Sequence, residues 1–362
     1  MNDATTICEA KMTVGLDLGD RHIQLCALSP DGEVIEESRL SCREKALRAR
    51  FEGAAPVRLV LEAGTHSPWV SRLLAELGHE VIVANPRKLR LIYMNDSKSD
   101  RVDAEYLARV GRLDPALLSP IMHREASVQA DLVVVRSRDV LVRTRTALIN
   151  HVRGSVKSLG GRIPSSSAAA FSRIAVEHVP ECLTSALLPV LTMIGDLSER
   201  IGRFDREIER LCSEEYPECA ALSQPAGVGP ITALTYALTI QDPSRFPNAR
   251  AVGSYLGLRP KRSQSGASAP ELGITKAGDV MTRRLLVGSA QYILGPFGPD
   301  TDLRRWGLTL AGRGGKAAKK RAVVAVARKL SVLMFRLWVT GEVYEPLRNS
   351  APHEVEAVAI SA

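Results

Sequence analysis

The stretch that decides the fold of the first third is MTVGLDL at residues 12–18. It is followed at short intervals by IQLCAL at 23–28 and VIEESRL at 34–40. The first run is apolar with a single acid, Asp17, near its end, and Asp31-Gly32 turns the chain between the second and third runs. Short apolar runs joined by tight turns read as hairpin-linked strands. Outward from them, residues 44–51 have helical spacing, and Val57 to Leu61 forms an apolar strand ending at Glu62. Trp69, Leu73, Leu74 and Leu77 share one helical face over residues 68–77. His79 to Val83 is a further strand, stopped by Asn85-Pro86, and residues 100–110 form a helix with acids at its start.

The resulting order is β-β-β-α-β-α-β-α. Three meandering strands followed by helix–strand alternation is the order of a ribonuclease H-like α/β domain. The acids fall where such a sheet gathers its strand ends: Asp17 ends the first strand, Glu62 the fourth, and Asp100 and Asp103 lie one turn apart on a helix. Four converging carboxylates repel one another unless cations lie between them. Mg²⁺ prefers carboxylate oxygens and completes its shell with water or substrate phosphate, and paired ions of this kind serve phosphodiester chemistry. Each acid alone also reads as a turn residue, a solvated strand end or a helix-cap charge. The joint pattern is what points to a metal site. Lys98 and Arg101 nearby fit phosphate contacts. GLDLGD also resembles the first phosphate loop of actin-like sugar kinases and ATPases. That fold needs a second half with its own Asp-Gly loop and a Gly-rich adenosine motif, and neither follows residue 120.

The chain has 362 residues and a formal charge of +8, unevenly placed. Residues 1–120 hold 16 basic and 18 acidic side chains, and residues 121–362 hold 32 and 22. A basic excess confined to the later part is the footprint of a polyanionic partner. Aromatics are only 4%, too few for a binder that stacks single-stranded bases. No uninterrupted apolar run reaches the roughly 18 residues of a membrane span, so no membrane role is expected. The N-terminus lacks the basic and apolar regions of a signal peptide. Six cysteines without a C-x-x-C pair fit a reducing cytoplasm rather than a disulfide frame or a zinc site.

Residues 128–159 read as one long basic helix, punctuated by Arg136, Arg138, Arg143, Arg145, Arg153 and Lys157. Further on, Leu187, Ile194, Ile201 and Ile208 recur every seven residues, as do Val190, Leu197, Phe204 and Leu211. Such a seam fits self-association or an intramolecular helical hairpin equally well. Pro189 fits only near the start of its helix. Gly227-Val-Gly229-Pro230 leads into a helix over 231–240 and resembles the phosphate-facing turn of a helix-hairpin-helix motif. Residues 246–258 read as a compact helical segment. A flexible, basic, hydroxyl-bearing loop follows, with Lys261, Arg262, Ser263, Ser265 and Lys276, before a helix carrying Arg283. Lys319-Lys320-Arg321 and Arg328-Lys329 on the last helix fit either a phosphate-facing stripe or a solvated face.

In this order, GLDLGD, VLEAG, NPRK…SKSDRVDA, AGVGPITA, YLGLRP…SG…LGITKAGD…RRLL and ARKL resemble the transposases of insertion-sequence family 110 over residues 12–345. The resemblance implies a RuvC-like domain at 12–120, with Asp17, Glu62, Asp100 and Asp103 as a magnesium site. It implies long helices with a coiled coil at 121–218, used in a homodimer or homotetramer. A mainly α transposase domain follows at 219–345, then a tail at 346–362. The resemblance also implies a catalytic serine, best matched by Ser265 with Ser263 as the fallback, that forms a phosphoserine link to DNA. Donor and target duplex DNA are the expected substrates, and an element-encoded structured RNA is the expected guide. Lys98, Arg136, Arg143, Gly227, Gly229, Lys261, Arg262, Lys276 and Arg283 are the expected nucleic-acid contacts. The expected location is the bacterial cytoplasm, at the nucleoid. Two departures stand out: Ala226 before Gly227, where the family's hairpin usually reads P-G-I-G-P, and Asp279 where it often has asparagine. A Holliday-junction-resolvase-like metal nuclease is the second reading, and a non-enzymatic nucleic-acid binder is the third.

Overall fold

The computed structural model describes residues 12–89, 99–263 and 271–349. The chain divides into two compact units, Met1–Glu125 and Ala126–Ala362. In the first, β1 (Thr13–Leu18), β2 (His22–Leu28) and β3 (Val34–Ser41) precede α1 (Glu44–Phe51), β4 (Arg58–Glu62), α2 (Ser67–Glu76) and β5 (Glu80–Ala84). The short α3 (Pro86–Leu89) and then α4 (Asp100–Leu113) follow. One five-stranded sheet runs β3-β2-β1-β4-β5. The first three strands form the antiparallel meander expected from the turns, while β4 lies parallel to β1, and β5 parallel to β4.

Both faces of the central strands are covered, which explains their continuous apolar runs. Val14, Leu16, Leu59 and Leu61 pack with Leu47 and Phe51 of α1 and Val70 and Leu74 of α2. On the opposite face Val60, Ile82 and Ala84 pack with Leu107 and Val110 of α4. The helix approaches so closely that a Cβ on Gly15 would lie 1.9 Å from the Ala104 carbonyl oxygen and 2.7 Å from the Ala108 amide nitrogen. Gly19 tightens the β1–β2 turn, its amide bonding the His22 carbonyl at 2.9 Å. The glycines of GLDLGD thus serve helix packing and a turn, which removes the reason to read them as a nucleotide phosphate loop.

The second unit opens with α5 (Ala126–Ser158), α6 (Phe171–Ala175) and α7 (Glu181–Glu214). The α5 and α7 helices pack antiparallel. Arg138 bonds Asp205 at 2.8 Å, Arg145 bonds Ser198 at 3.1 Å, and the Tyr216 hydroxyl donates to Asp131 at 2.6 Å. Val152 and Val156 meet Leu187, Leu191 and Ile194 at one end. At the other end Val128, Leu132 and Val135 join the cluster holding Ile208 and Leu211. The seven-residue repeat therefore closes within the chain. Pro189 lies well inside α7 rather than near its start. It is exposed, as is Ser185, whose carbonyl loses a partner amide there, so water can satisfy the break. By length and composition α7 is the one described helix that could cross a membrane, despite its charged side chains. Its apolar stripe is the one packed on α5.

The chain continues through α8 (Glu218–Leu222), α9 (Pro230–Ile240), α10 (Ala249–Tyr255), β6 (Pro260–Arg262), β7 (Glu271–Ile274), α11 (Val280–Leu294), α12 (Asp302–Ala311) and α13 (Gly315–Thr340). Residues 232–240 of α9 are all buried, so this short helix is the hub of the domain core. Tyr236, fully covered, donates to the Ser331 carbonyl of α13 at 2.6 Å. The expected single helical segment at 246–258 is a shorter helix, α10, preceded by a turn at Pro243–Arg245. The expected flexible loop is instead framed by a two-stranded ribbon, β6 against β7.

Candidate functional site

In the first unit the register of β1 and β4 ends on Leu16 opposite Leu61, which brings the next residues, Asp17 and Glu62, level on adjacent strands. Gly15 and Val60 both face α4, and side chains two residues on return to the same face. Asp17 and Glu62 therefore lie side by side on the α4 face, and both are half-buried. The helix runs opposite to β1. Its Ala104 sits over Gly15, its Gly111 over Val60, and the Gly111 carbonyl accepts from Arg58 at the start of β4. Asp100 lies one helical turn, about 6 Å, beyond Ala104, and Asp17 lies two residues, about 6.6 Å, beyond Gly15. The first turn of α4, with Asp100 and half-buried Asp103, thus reaches the end of the sheet where Asp17 and Glu62 stand. Ser99 caps this helix by accepting from the Val102 amide at 3.3 Å. Nearby, Arg101 pairs with Glu37 of β3 at 2.6 Å.

Four carboxylates, with no sulfur or imidazole, form a donor set suited to a hard cation such as Mg²⁺. Their backbones share one end of one sheet face. Their side chains are not closed into a shell: among the described residues, no group of three or more His, Cys, Asp or Glu stands close enough to hold a metal ion. Lys98 lies outside the described residues.

The corner after Glu62 is held by a pair that the sequence did not announce. Ser67, fully buried at the start of α2, accepts from the Gly64 amide at 2.9 Å, and its hydroxyl lies 2.8 Å from His123 Nε2. Burial, with Arg72 and Arg124 nearby, holds the His123 imidazole below its ordinary range, so it is neutral at pH 7. The partners are 56 residues apart, and no local pattern links them.

In the second unit, β6 and β7 lie in sequence on either side of the serine segment. Lys261 and Ser263 are exposed, Arg262 is in β6, and Ser265 lies outside the described residues. The base of the ribbon is locked by two glycines with positive φ. A Cβ on Gly257 (φ 71°) would meet the Ala277 backbone at 2.2 Å, and one on Gly278 (φ 69°) would meet the Tyr255 carbonyl oxygen at 2.1 Å. The motifs YLGLRP and TKAGD are thus two halves of one backbone clasp. Lys276, exposed and at φ 55°, bonds the Gly257 carbonyl through its amide at 3.1 Å.

Several expected nucleic-acid contacts are engaged by the fold. Arg283 is buried and donates to the carbonyls of Leu256 at 3.0 Å and Ala277 at 2.6 Å, bridging both halves of the clasp. Its guanidinium acts as a strut between them, since without it both carbonyls would lose a donor in the interior. Gly227 (φ 82°) is closed off by α11: a Cβ there would meet Tyr292 at 2.9 Å and the Ser289 carbonyl at 3.1 Å. Gly229, the exposed residue preceding α9, faces open space. Arg136 pairs with Asp279 at 3.0 Å, and Arg143 with Asp139 at 3.1 Å. Asp279 caps α11. Burial pushes its carboxyl up, but bonds from the Thr282 amide and hydroxyl and from Arg136 outweigh this and hold it below the usual carboxylate range.

Comparison with known sequences identifies the lineage. Residues 14–160 match the family model of an IS110-type DEDD transposase domain. Residues 219–301 match the model described as Transposase IS116/IS110/IS902 family. A protein of Sinorhizobium fredii, provisionally named a transposase, is 30% identical over 359 residues, covering 97% of this chain and 90% of the relative. The transposase for insertion sequence element IS1111A of Coxiella burnetii is 27% identical over 343 residues, 91% of this chain and 90% of the relative. The transposase for insertion sequence element IS1328 of Yersinia enterocolitica is 28% identical over 290 residues, covering 78% and 83%. With the domain matches in the same order as the α/β unit and the helical unit, this chain belongs to the IS110 family of insertion-sequence transposases.

Proposed function

We propose that the chain cuts and rejoins duplex DNA through two groups of residues: the carboxylates Asp17, Glu62, Asp100 and Asp103, and the hydroxyl of Ser265, with Ser263 as its alternate. The observation that carries this reading is the level placement of Asp17 and Glu62 on adjacent strands, beneath the first turn of α4, in a chain of this family. The sheet order β3-β2-β1-β4-β5 supports a ribonuclease H-like, RuvC-like fold for residues 12–120. The repeat in α7 supports a coiled-coil character for 121–218, with 219–345 as the transposase domain and 346–362 as a tail. Homodimer or homotetramer assembly goes with this reading, as does a structured RNA guide that selects donor and target DNA.

Asp17, Glu62, Asp100 and Asp103 would hold Mg²⁺, which supplies charge neutralisation at a scissile phosphate. The protein's own contribution is placement. Close packing of α4 at Gly15 sets the height of Asp100 and Asp103 against Asp17, and the Ser67–His123 bond holds the loop after Glu62. In the second unit, the glycine clasp and Arg283 hold the base of the β6–β7 ribbon. The serine oxygen forms a bond to phosphorus, the bond from phosphorus to the departing strand's oxygen breaks, and that oxygen leaves with a proton. Because phosphoserine retains the energy of the broken link, the strand can be resealed on a new partner without hydrolysis.

The test is strand exchange on a plasmid carrying both element ends, together with the predicted guide RNA. D17N and S265A are each expected to abolish exchange, and S265A to lose the covalent protein–DNA adduct seen on denaturing gels. If S265A and S263A both still cut with unchanged rate and no adduct forms in the wild type, the chain is a hydrolytic metal nuclease instead.

A further inference from the structure

From Leu303 to Gly341 the α12–α13 hairpin holds ten lysines and arginines and no aspartate or glutamate. Five of these cations are engaged by the fold. Arg304 donates to the carbonyls of Ile293 and Gly295, Arg305 pairs with Asp300, and Arg336 pairs with Glu342. Lys329 lies 4.1 Å above the Trp306 ring, and Arg328 packs over Gly253. The other five, Arg313, Lys316, Lys319, Lys320 and Arg321, gather at the tip, and all are exposed. None of them forms an ion pair among the described residues.

The geometry turns these charges outward as a group. Ala318 and Ala322 bury the inner face of α13's first turns. Lys316, Lys319 and Lys320, at i, i+3 and i+4, share the opposite face. Arg321 flanks them, and Arg313 precedes them across Gly314-Gly315. Like charges at this spacing destabilise a helix, and no carboxylate pairs with them among the described residues. A polyanion would. Lys316 and Lys320 are about 6 Å apart along the helix, comparable to about two phosphate steps of a strand. No large exposed apolar side chain lies among described residues 313–325, which argues against a membrane or an apolar protein face. The tip has no aromatic ring on which to stack an unpaired base.

We propose that the tip of the α12–α13 hairpin docks the backbone of duplex DNA, without reading its sequence, through Arg313, Lys316, Lys319, Lys320 and Arg321. This rests on the DNA-acting reading above, and it lies outside both segments matched by the family models. Phosphate docking fixes position on the duplex while leaving sequence choice to other contacts.

The experiment measures full-length protein binding to two unrelated duplexes and to one structured RNA hairpin, by fluorescence anisotropy across a salt series. Each lost phosphate contact lowers the log–log salt slope by about 0.9. The K316Q/K319Q/K320Q variant is therefore expected to lose about 2.7 of slope, weakening both duplexes alike, so that its deficit against wild type shrinks about 40-fold between about 50 and 200 mM salt. K320Q alone is expected to lose about 0.9. The charge-matched R48Q/R203Q/R210Q variant, whose arginines already pair with carboxylates, is expected to keep the wild-type slope. An unchanged slope in the tip variants, an equal loss in the charge-matched variant, or a loss confined to the RNA probe would overturn the proposal while leaving the transposase reading intact. A wild type that binds neither duplex would overturn both.

Discussion

Gly15→Ala is the sharpest test of how the acidic cluster is assembled. The new methyl would sit 1.9 Å from the Ala104 carbonyl oxygen and 2.7 Å from the Ala108 amide nitrogen, where real Cβ contacts essentially never fall below 3.0 Å. Both atoms belong to the backbone of α4, so no side-chain rotation relieves the clash, and the helix must withdraw by at least about 1 Å. Overpacking of this kind costs about 1–3 kcal/mol, and a backbone obstacle belongs at the upper end. For a unit of this size that is a fall of about 10 °C in its melting temperature. Gly111→Ala is the matched comparison. Its methyl meets side-chain atoms alone, Val60 Cγ2 at 2.4 Å and Val60 Cβ and Cγ1 at 3.4 Å, while replacing a helical glycine returns about 1 kcal/mol. It is expected to be clearly less damaging than Gly15→Ala, because a side chain rather than a helix backbone has to shift. Urea unfolding followed by Trp69 fluorescence, in a W306F/W338F background, reports the first unit alone. Gly15→Ala should also depress strand exchange about 100-fold, because a 1 Å misplacement of reacting groups has that effect. A Gly15→Ala protein as stable and active as wild type, or a Gly111→Ala protein equally damaged, would refute the account of α4 as the element that positions Asp100 and Asp103.

Other expectations follow from buried polar groups. His123 has a folded pKa below its ordinary 6.5, so its contribution to stability is complete above that pH and is lost as pH falls through the lower folded value. The first unit should therefore melt progressively earlier as pH falls below about 6.5, and H123Q should flatten that slope. An unchanged pH profile in H123Q would count against the Ser67–His123 bond. Arg283→Met should lower stability by about 2–3 kcal/mol by stranding the Leu256 and Ala277 carbonyls, and Arg283→Lys should not restore it, since one ammonium cannot reproduce the fork. Thermal melts of the three proteins decide this. Arg145 lies in the α5–α7 seam with its Nε lacking a hydrogen-bond partner, and burial, then Arg138, lowers its pKa. Arg145→Met should leave stability unchanged or raise it, as replacing poorly compensated buried charge often does. A loss above about 1 kcal/mol would show that the Ser198 bond matters more than the desolvation.

The α/β order of the first unit was legible because its strands are short apolar runs between unmistakable turns. The antiparallel meander followed from loops too short for any other connection. The positions of Asp17 and Glu62 near the ends of β1 and β4 were legible for a related reason: a residue at the end of an apolar run lies near the end of a strand. The helical boundaries were close as well, with residues 128–159 expected and Ala126–Ser158 found. The α7 repeat specified a seam but not the partner, since an apolar stripe is equally content with its own chain or another. Only the pairing of Arg138 with Asp205, 67 residues on, shows the seam closed internally. The bridging role of Arg283 was not legible, because local sequence shows only a cation after a basic loop. That it lies beneath two backbone carbonyls, one of them 27 residues earlier, is a property of the packed domain. The short strands β6 and β7 were not legible because they are only three and four residues long and are held at their base by a glycine clasp.

The sealed seam between α5 and α7 has a bearing on how copies of the protein could gather. Ile194 and Ile208 are wholly covered by their own molecule. A neighbour wishing to grip them would first have to prise the two rods apart, forfeiting about 1.5–3 kcal/mol for each such side chain laid bare. Multimers that leave this zipper shut must meet on other ground, and their appearance with rising concentration should leave the melting of the rods undisturbed.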